Sequence, residues 1–239
     1  MDFAQFSEEL NINIKTIDIF LNAKQIENFY KYMEMLIEKN KVMNLTAITD
    51  PKEIIIKHFM DSLTVARYLK GKNEVIDIGT GAGFPGIPLK IYNTSIEMCL
   101  LDSLNKRISF LNEVINTIDL EKIVAIHGRA EEYGQNLQYR ERFDVAVSRA
   151  VAPLNVLLEY MLPFVHVGGQ CLCMKGNISE EELQNAKNAL NILGGEIEKI
   201  EKFTLPNTDY NRTIIIVKKT RKTPDKYPRK AGMPSNTPL

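Results

Sequence analysis

At 239 residues, 44% of them hydrophobic and 25% charged, the chain is long enough for one sizeable core with an appendage, and its composition is that of an ordinary globular protein. No apolar run approaches the roughly 20 residues that cross a bilayer, the N-terminus has no basic stretch leading into an apolar one, and three cysteines give no disulfide framework, so a cytoplasmic protein without a membrane partner is expected. The formal net charge of zero hides an asymmetry: from Arg212 onward eight Lys/Arg face one acid, a net of +7, which leaves the first 211 residues at −7.

Residues 2 to 43 carry a helical pattern, with Ile17, Phe20 and Leu21, then Ile26, Phe29, Tyr30, Met33, Leu36 and Ile37 at three- and four-residue spacing. Asn22 is placed to cap the second segment. Asn44-Leu45-Thr46 breaks the pattern, and Asp50-Pro51 opens a further helix running to about Leu69. Residues 1–70 therefore form an N-terminal helical cap. From Glu74 strands and helices alternate: strand 75–78, helix 85–92, strand 96–101, a helix through Ile108 and Ile115, strand 123–126, strand 144–147, helix 153–165 and strand 170–174. Cys171 and Cys173 fall on one face of that last strand and read as buried thiols, and no metal site is expected. Ser179 with Glu182 forms a capping box for a helix to Leu193. Strands near 196–203 and 213–218 follow, joined by a short polar loop and so antiparallel. The pattern is α/β, a doubly wound, mostly parallel, seven-stranded sheet over residues 71–220 with an antiparallel last strand. Residues 221–239 form a basic C-terminal tail whose last dozen residues read as loosely ordered, the whole making one compact unit.

The chain is organised around Asp77-Ile78-Gly79-Thr80-Gly81-Ala82-Gly83-Phe84-Pro85-Gly86, where a β-branched strand ends in four glycines and a helix begins. Such a turn lets a ligand approach the backbone with no Cβ in the way. Gly81 to Gly86 also fits the dinucleotide fingerprint, a weak signal alone. Asp77, two residues before the first glycine, faces a cationic amino-acid ligand better than a pyrophosphate and favours S-adenosylmethionine. Asp102, at the tip of the next strand, suits the two ribose hydroxyls of either nucleoside ligand.

Further motifs make the resemblance specific. Asn44-Leu45-Thr46, His58-Phe59-Met60-Asp61-Ser62-Leu63, the glycine stretch, Gly128-Arg129-Ala130-Glu131, Ser148-Arg149-Ala150 and Tyr227-Pro228-Arg229-Lys230 with Gly232 and Pro234 resemble the glucose-inhibited division protein B (RsmG) family. These are bacterial class I, Rossmann-like methyltransferases that modify N7 of a guanine in 16S ribosomal RNA. Ala231 stands where the family often has proline.

The resemblance implies S-adenosylmethionine as cofactor and 16S rRNA or the small ribosomal subunit as partner, with the protein a monomer. It places Gly79 and Phe84 along the methionine part of the cofactor and Ala130 and Glu131 at the adenine, with Asp77, Gly81, Gly83 and Asp102 also among the cofactor-binding residues. Arg149 meets the cofactor carboxylate or the RNA, and Ser148, His58 and Asp61 lie near the acceptor. N7 of guanine has a free lone pair and no proton to lose, so no general base is assigned. The sequence lacks the Asn/Asp-Pro-Pro-aromatic signature of amine methylation after the fourth strand, and the cysteines sit in strand-like runs and not at a nucleophile loop. Candidate RNA contacts are Asn44 and the cations Arg212, Lys218, Lys219, Arg221, Lys222, Lys226, Arg229 and Lys230. The alternatives are a methyltransferase acting on another RNA or ring nitrogen, an NAD-linked reductase, and a non-catalytic RNA-binding protein with a cofactor-type fold.

Overall fold

Val75, Ile76 and Ile78 build β1 (Glu74–Ile78) in the interior of the sheet in a computed structural model that describes residues 1–149 and 152–239. Ala150 of the Ser-Arg-Ala motif and Val151 lie outside the described residues. β1 pairs in parallel with β2 (Glu97–Asp102) and β4 (Phe143–Arg149), and β2 with β3 (Ile123–His127). On the other side β4 pairs in parallel with β5 (Val165–Lys175). The order is β3-β2-β1-β4-β5-β7-β6, with β6 (Gly195–Thr204) and β7 (Asn211–Lys219) antiparallel to each other. β7 slots between β5 and β6 and is the antiparallel strand of the sheet. Burial explains this order: Thr213 to Val217 form an unbroken buried run, whereas β6 is half exposed and suits an edge.

Helices cover both faces. α5 (Gly86–Tyr92), α6 (Asn105–Thr117), α8 (Leu154–Met161) and α9 (Glu180–Leu193) follow the strands as crossovers, and a single turn, α7 (Ala130–Tyr133), follows β3. Helix 153–165 of the sequence reading is shorter, ending in a 3-10 turn at Leu162–Phe164 where Pro163 interrupts it, and β5 starts earlier than expected. Ser179 caps α9 by accepting from the Glu182 N–H at 3.1 Å, but the reciprocal half of the box is not made, because the Glu182 carboxylate accepts from Leu154 N–H and pairs with Lys175.

The N-terminal segment gives α1 (Phe3–Lys15) and α2 (Ala23–Met43), each opened by a full capping box at Asp2/Gln5 and Asn22/Gln25. α3 (Pro51–Ile54) runs without a break into a π-helical stretch, Ile55–Met60, and α4 (Asp61–Leu63), before a 3-10 turn at Ala66–Leu69. These helices share one core with the sheet. Phe6, Phe29, Tyr32 and Phe59 are fully buried beside Phe84, Ile87 and Phe110. The Tyr32 ring lies 5.6 Å from that of Phe59 and 5.4 Å from that of Phe84, and its hydroxyl donates to Ala82 O at 2.5 Å. The cap is thereby bonded directly to the glycine loop.

The tail is docked. Tyr227, Pro228 and Pro234 are buried, and Arg140 donates to the carbonyls of Thr223, Pro224 and Tyr227. Arg229 forms a fork on the fully buried Glu159 carboxylate, with Nη2 to Oε2 at 2.6 Å. Ser235 of α10 (Met233–Asn236) meets the Tyr160 hydroxyl at 2.8 Å. The loosely ordered ending read from the sequence is corrected: the basic side chains signalled solvent, but their main chain is held by the partly buried Arg140 and the fully buried Glu159.

Candidate active site

The C-terminal ends of β1 to β4 surround a cleft of about 500 Å3, where an open α/β sheet places its ligands. Its floor is the glycine loop. Gly81 has φ +63 and a Cβ added there would meet nothing within 4 Å, so its bare face opens to the cleft. Gly83, at φ +106, is crowded instead: a Cβ would come within 2.7 Å of the Tyr32 hydroxyl. Six N–H groups of the loop are already spent. Gly79 and Thr80 donate to Leu101 O, Gly83 and Phe84 to Thr80 O, Gly81 to Asp102 Oδ2 and Gly86 to Asp77 Oδ2.

Asp77 lies beneath this floor and is not among the residues lining the cleft. Its Oδ2 accepts from Thr80 Oγ1 at 2.7 Å and Gly86 N–H at 2.8 Å, while Oδ1 is buried without a partner among the described residues. Burial pushes the carboxyl up to about 7, against the opposing pull of the Thr80 and Gly86 hydrogen bonds. The sequence reading aimed this carboxylate at the ligand; the structure spends it on shaping the turn.

Asp102 does reach the cleft. It is 3% exposed and already holds Gly81 N–H at 2.9 Å on Oδ2, Leu104 N–H at 2.9 Å on Oδ1 and Arg107 Nη1 at 3.2 Å. Four acceptor positions on a carboxylate leave room for a further donor. Across the cleft stand Gly128, Arg129, Ala130 and Glu131 at the end of β3. Glu131 is 7% exposed, unusual for an acid in a first helical turn, because its Oε1 accepts the Gly232 N–H of the tail.

The far wall is a relay of four side chains. Arg149, at the tip of β4, donates through Nη1 to Lys57 O at 3.0 Å and Asp61 Oδ2 at 3.2 Å, and through Nη2 to His58 Nδ1 at 3.1 Å. Because Nδ1 accepts, the His58 proton sits on Nε2 and is donated to Thr46 Oγ1 at 2.8 Å. The ring stacks on Phe84 with centroids 4.2 Å apart, and the Arg149 guanidinium lies 5.1 Å from the same ring. Burial, then the charge of Arg149, hold the His58 pKa down to about 3, so the imidazole is neutral. His58 is carried by the π-helical turn at Ile55–Met60 and Asp61 by the start of α4 that follows it. Asp61 also accepts from Arg212 Nε at 2.9 Å.

Other candidates fall elsewhere. Ser148 is fully buried and donates to Ile78 O at 2.7 Å, tying β4 to β1 outside the cleft. Asn44 is exposed and, with φ 48, ends α2 in the left-handed conformation. Lys219 is corrected as an RNA contact: it has zero exposure and its ammonium is bonded to Leu162 O and Thr223 Oγ1, behind the sheet. Arg229 is bound to Glu159. Lys218, Arg221, Lys222, Lys226 and Lys230 are exposed. Residues the sequence reading passed over include Arg107, one turn into α6 beside Asp102, and Tyr160 on α8, which also lines the cleft. Arg107 follows Asp102 by five residues, a local signal; Tyr160 had none.

The model of the GidB family, rRNA small subunit methyltransferase G, matches residues 25–213. The chain belongs to this family. It is 56% identical over 220 residues to the ribosomal RNA small subunit methyltransferase G of Acetivibrio thermocellus, covering 92% of this chain and 90% of that one. The Clostridium kluyveri protein of the same name is 48% identical over 236 residues, 98% of this chain and 99% of that one. Solved structures share the fold at low identity. The M. jannaschii TYW2 structure in complex with AdoMet has a TM-score of 0.52 at 13% identity, covering 66% of this chain and 76% of that one. The ribosomal protein L11 methylase of Lactobacillus delbrueckii subsp. bulgaricus has a TM-score of 0.52 at 14% identity, covering 69% and 79%. As a GidB-family chain with a class I sheet, the protein is a methyltransferase whose cofactor is S-adenosylmethionine.

The cleft fits such a group. The bare face of Gly81 leaves room for a side chain and the acid at the tip of β2 offers acceptors for hydroxyls, while Ala130 and Glu131 line the same cleft.

Proposed function

We propose that this GidB-family enzyme moves the methyl group of S-adenosylmethionine to N7 of a guanine in the 16S RNA of the small ribosomal subunit. What supports this reading is that Gly79, Gly81, Phe84, Asp102, Ala130, Glu131 and Arg149, distant in sequence, line one cleft. Asp102 would hold the ribose, Ala130 and Glu131 the adenine, and Gly79, Gly81 and Phe84 the methionine part. The cofactor supplies a methyl group on a sulfonium, open to in-line attack. The chain's own work is to position the acceptor and exclude water. His58 takes no proton from the acceptor, since its Nδ1 is engaged by Arg149 and its Nε2 carries the proton held by Thr46. This accords with a ring nitrogen that needs no base.

The reading extends to RNA contacts at Asn44, Lys218, Arg221, Lys222, Lys226 and Lys230, all exposed. On it the helices of 1–70, the sheet of 71–220 and the tail of 221–239 act as one unit, and the enzyme works as a monomer in the cytoplasm. No helix is long and apolar enough to cross a membrane, among the described residues. The test is to map 7-methylguanosine in the 16S RNA of a strain lacking the protein, and to restore it by incubating those subunits with purified enzyme and S-adenosylmethionine. Loss of one guanine's methylation and its recovery are expected. A complete 7-methylguanosine map in the deletion strain would defeat the assignment.

A further inference from the structure

A second cavity, of about 330 Å3, lies on the other side of the His58–Arg149 wall, and both residues line both spaces. Its remaining polar lining is Lys57, Asp61, Lys175 and Arg212. The charges do not balance. Lys57 is paired with Glu53 at 2.6 Å and Lys175 with Glu182. Arg149 and Arg212, however, share the single carboxylate of Asp61, one on each oxygen, at 3.2 and 2.9 Å. Both guanidiniums are largely shielded, with side-chain exposures of 16% and 23%, and Asp61 is at 4%. Among the described residues one positive charge in a half-dry recess is left without a counter-ion, an arrangement that costs free energy until an anion fills it.

The two arginines are not equivalent. Arg149 faces the cofactor cleft as well, whereas Arg212 is absent from that cleft and lines the second cavity and a neighbouring pocket beside Asn177 and Thr213. Arg212 uses Nε on Asp61 and Nη1 on Asn211 O at 3.0 Å, and its Nη2 has no partner among the described residues. Three N–H donors of a planar fork thus remain, one on Nη1 and two on Nη2, held in place by the carboxylate behind them, which is the geometry that takes a phosphate oxygen.

Resting on the proposed RNA methylation, we infer that this second cavity is an anion site that takes a backbone phosphate of the acceptor RNA, with Arg212 as its donor and Asp61 as the residue that orients both arginines. The phosphate is thereby anchored behind the wall while the base of the same strand reaches the cleft in front.

Arg212→Gln in the full chain tests this with three readouts. Losing one charge-assisted contact, KM for small subunits should rise roughly ten-fold or more. The log–log salt slope for RNA binding should become shallower by about one phosphate, roughly 0.7–0.9. The dissociation constant for S-adenosylmethionine should stay within about two-fold, since Arg212 is absent from that cleft. Arg212→Lys, which keeps the charge and relieves any folding problem, should restore the slope and part of KM. An unchanged slope overturns the site, and a weakened cofactor constant with KM unmoved overturns it too, because the anion would then be the cofactor's carboxylate. Failure of wild-type enzyme to methylate any guanine N7 would instead sink the functional reading, and the binding slope separates the two.

Discussion

Gly232 donates its main-chain N–H to Glu131 Oε1 at 2.9 Å, so a residue of the C-terminal tail completes a hydrogen bond on the wall of the cofactor cleft. Two neighbours of Glu131 in that wall or behind it, Tyr160 and Glu159, are likewise held by Ser235 and Arg229. The tail's cations therefore divide. Lys226 and Lys230 face solvent, while Arg229 is committed to the body.

The commitment of Arg229 sets the first expectation. Glu159 has zero side-chain exposure, and Arg229→Ala strips its counter-ion. Unfolding by urea should show a loss of about 3–5 kcal/mol, and cofactor affinity should fall as the tail loosens over Glu131. Replacing both residues with Met should recover most of the stability. A loss below about 1 kcal/mol for the single change would mean that the pair is not a buried one.

Asp102→Ala removes acceptors for the proposed ribose contact and for Gly81 N–H. S-adenosylmethionine binding measured by calorimetry should weaken by about 1.5–3 kcal/mol. An unaltered constant would move the ribose elsewhere in the cleft.

Gly81→Val places a β-branched side chain at φ +63 and over the open floor of the cleft. Backbone strain should cost about 1–3 kcal/mol of stability, and cofactor binding should vanish because the side chain takes the ligand's space. Normal binding by a folded variant would leave the glycine with a conformational role only.

Two buried groups titrate in opposite senses. The Asp77 carboxyl is raised by burial from 3.8 to about 7, so the folded state binds the extra proton and Asp77 makes stability fall as pH rises through that window. The His58 imidazole is lowered by burial from 6.5 to about 3, so the unfolded state binds the extra proton and His58 makes stability rise with pH between those values. Between pH 4 and 6.5 the two slopes oppose each other. Asp77→Asn should leave stability rising more steeply with pH than in the wild type, and His58→Gln should make it rise less or fall. Melting temperatures at four pH values check both, and parallel curves for all three proteins would refute the pairing.

What could be read from the sequence was whatever is decided within a few residues. The caps at Asn22 and Asp50, the glycine turn, and the position of Asp102 at a strand end all follow from local rules. What could not be read depends on distant partners. His58 meets Arg149 across 91 positions and Glu131 meets Gly232 across 101, and neither side chain announces its mate. The basic tail misled for a physical reason: charge predicts solvent for a side chain, but Arg229 and Lys219 end on buried acceptors that only the folded chain supplies. Asp77 misled similarly, since a carboxylate beside a glycine turn can serve the turn as well as a ligand.

The saturated glycine loop has a consequence for discrimination. A dinucleotide is ordinarily gripped by unoccupied main-chain donors against its pyrophosphate. Here six of those donors are consumed by Leu101, Thr80, Asp77 and Asp102, so a pyrophosphate arriving at the same turn would lose its hydration and find few partners. The turn keeps the outline of a phosphate cradle while its donors are paired within the fold, and the expected consequence is a filter that admits nucleosides with an uncharged or cationic extension and refuses phosphorylated ones. A titration with NADH alongside S-adenosylmethionine reads this selectivity directly, and comparable affinities would contradict it.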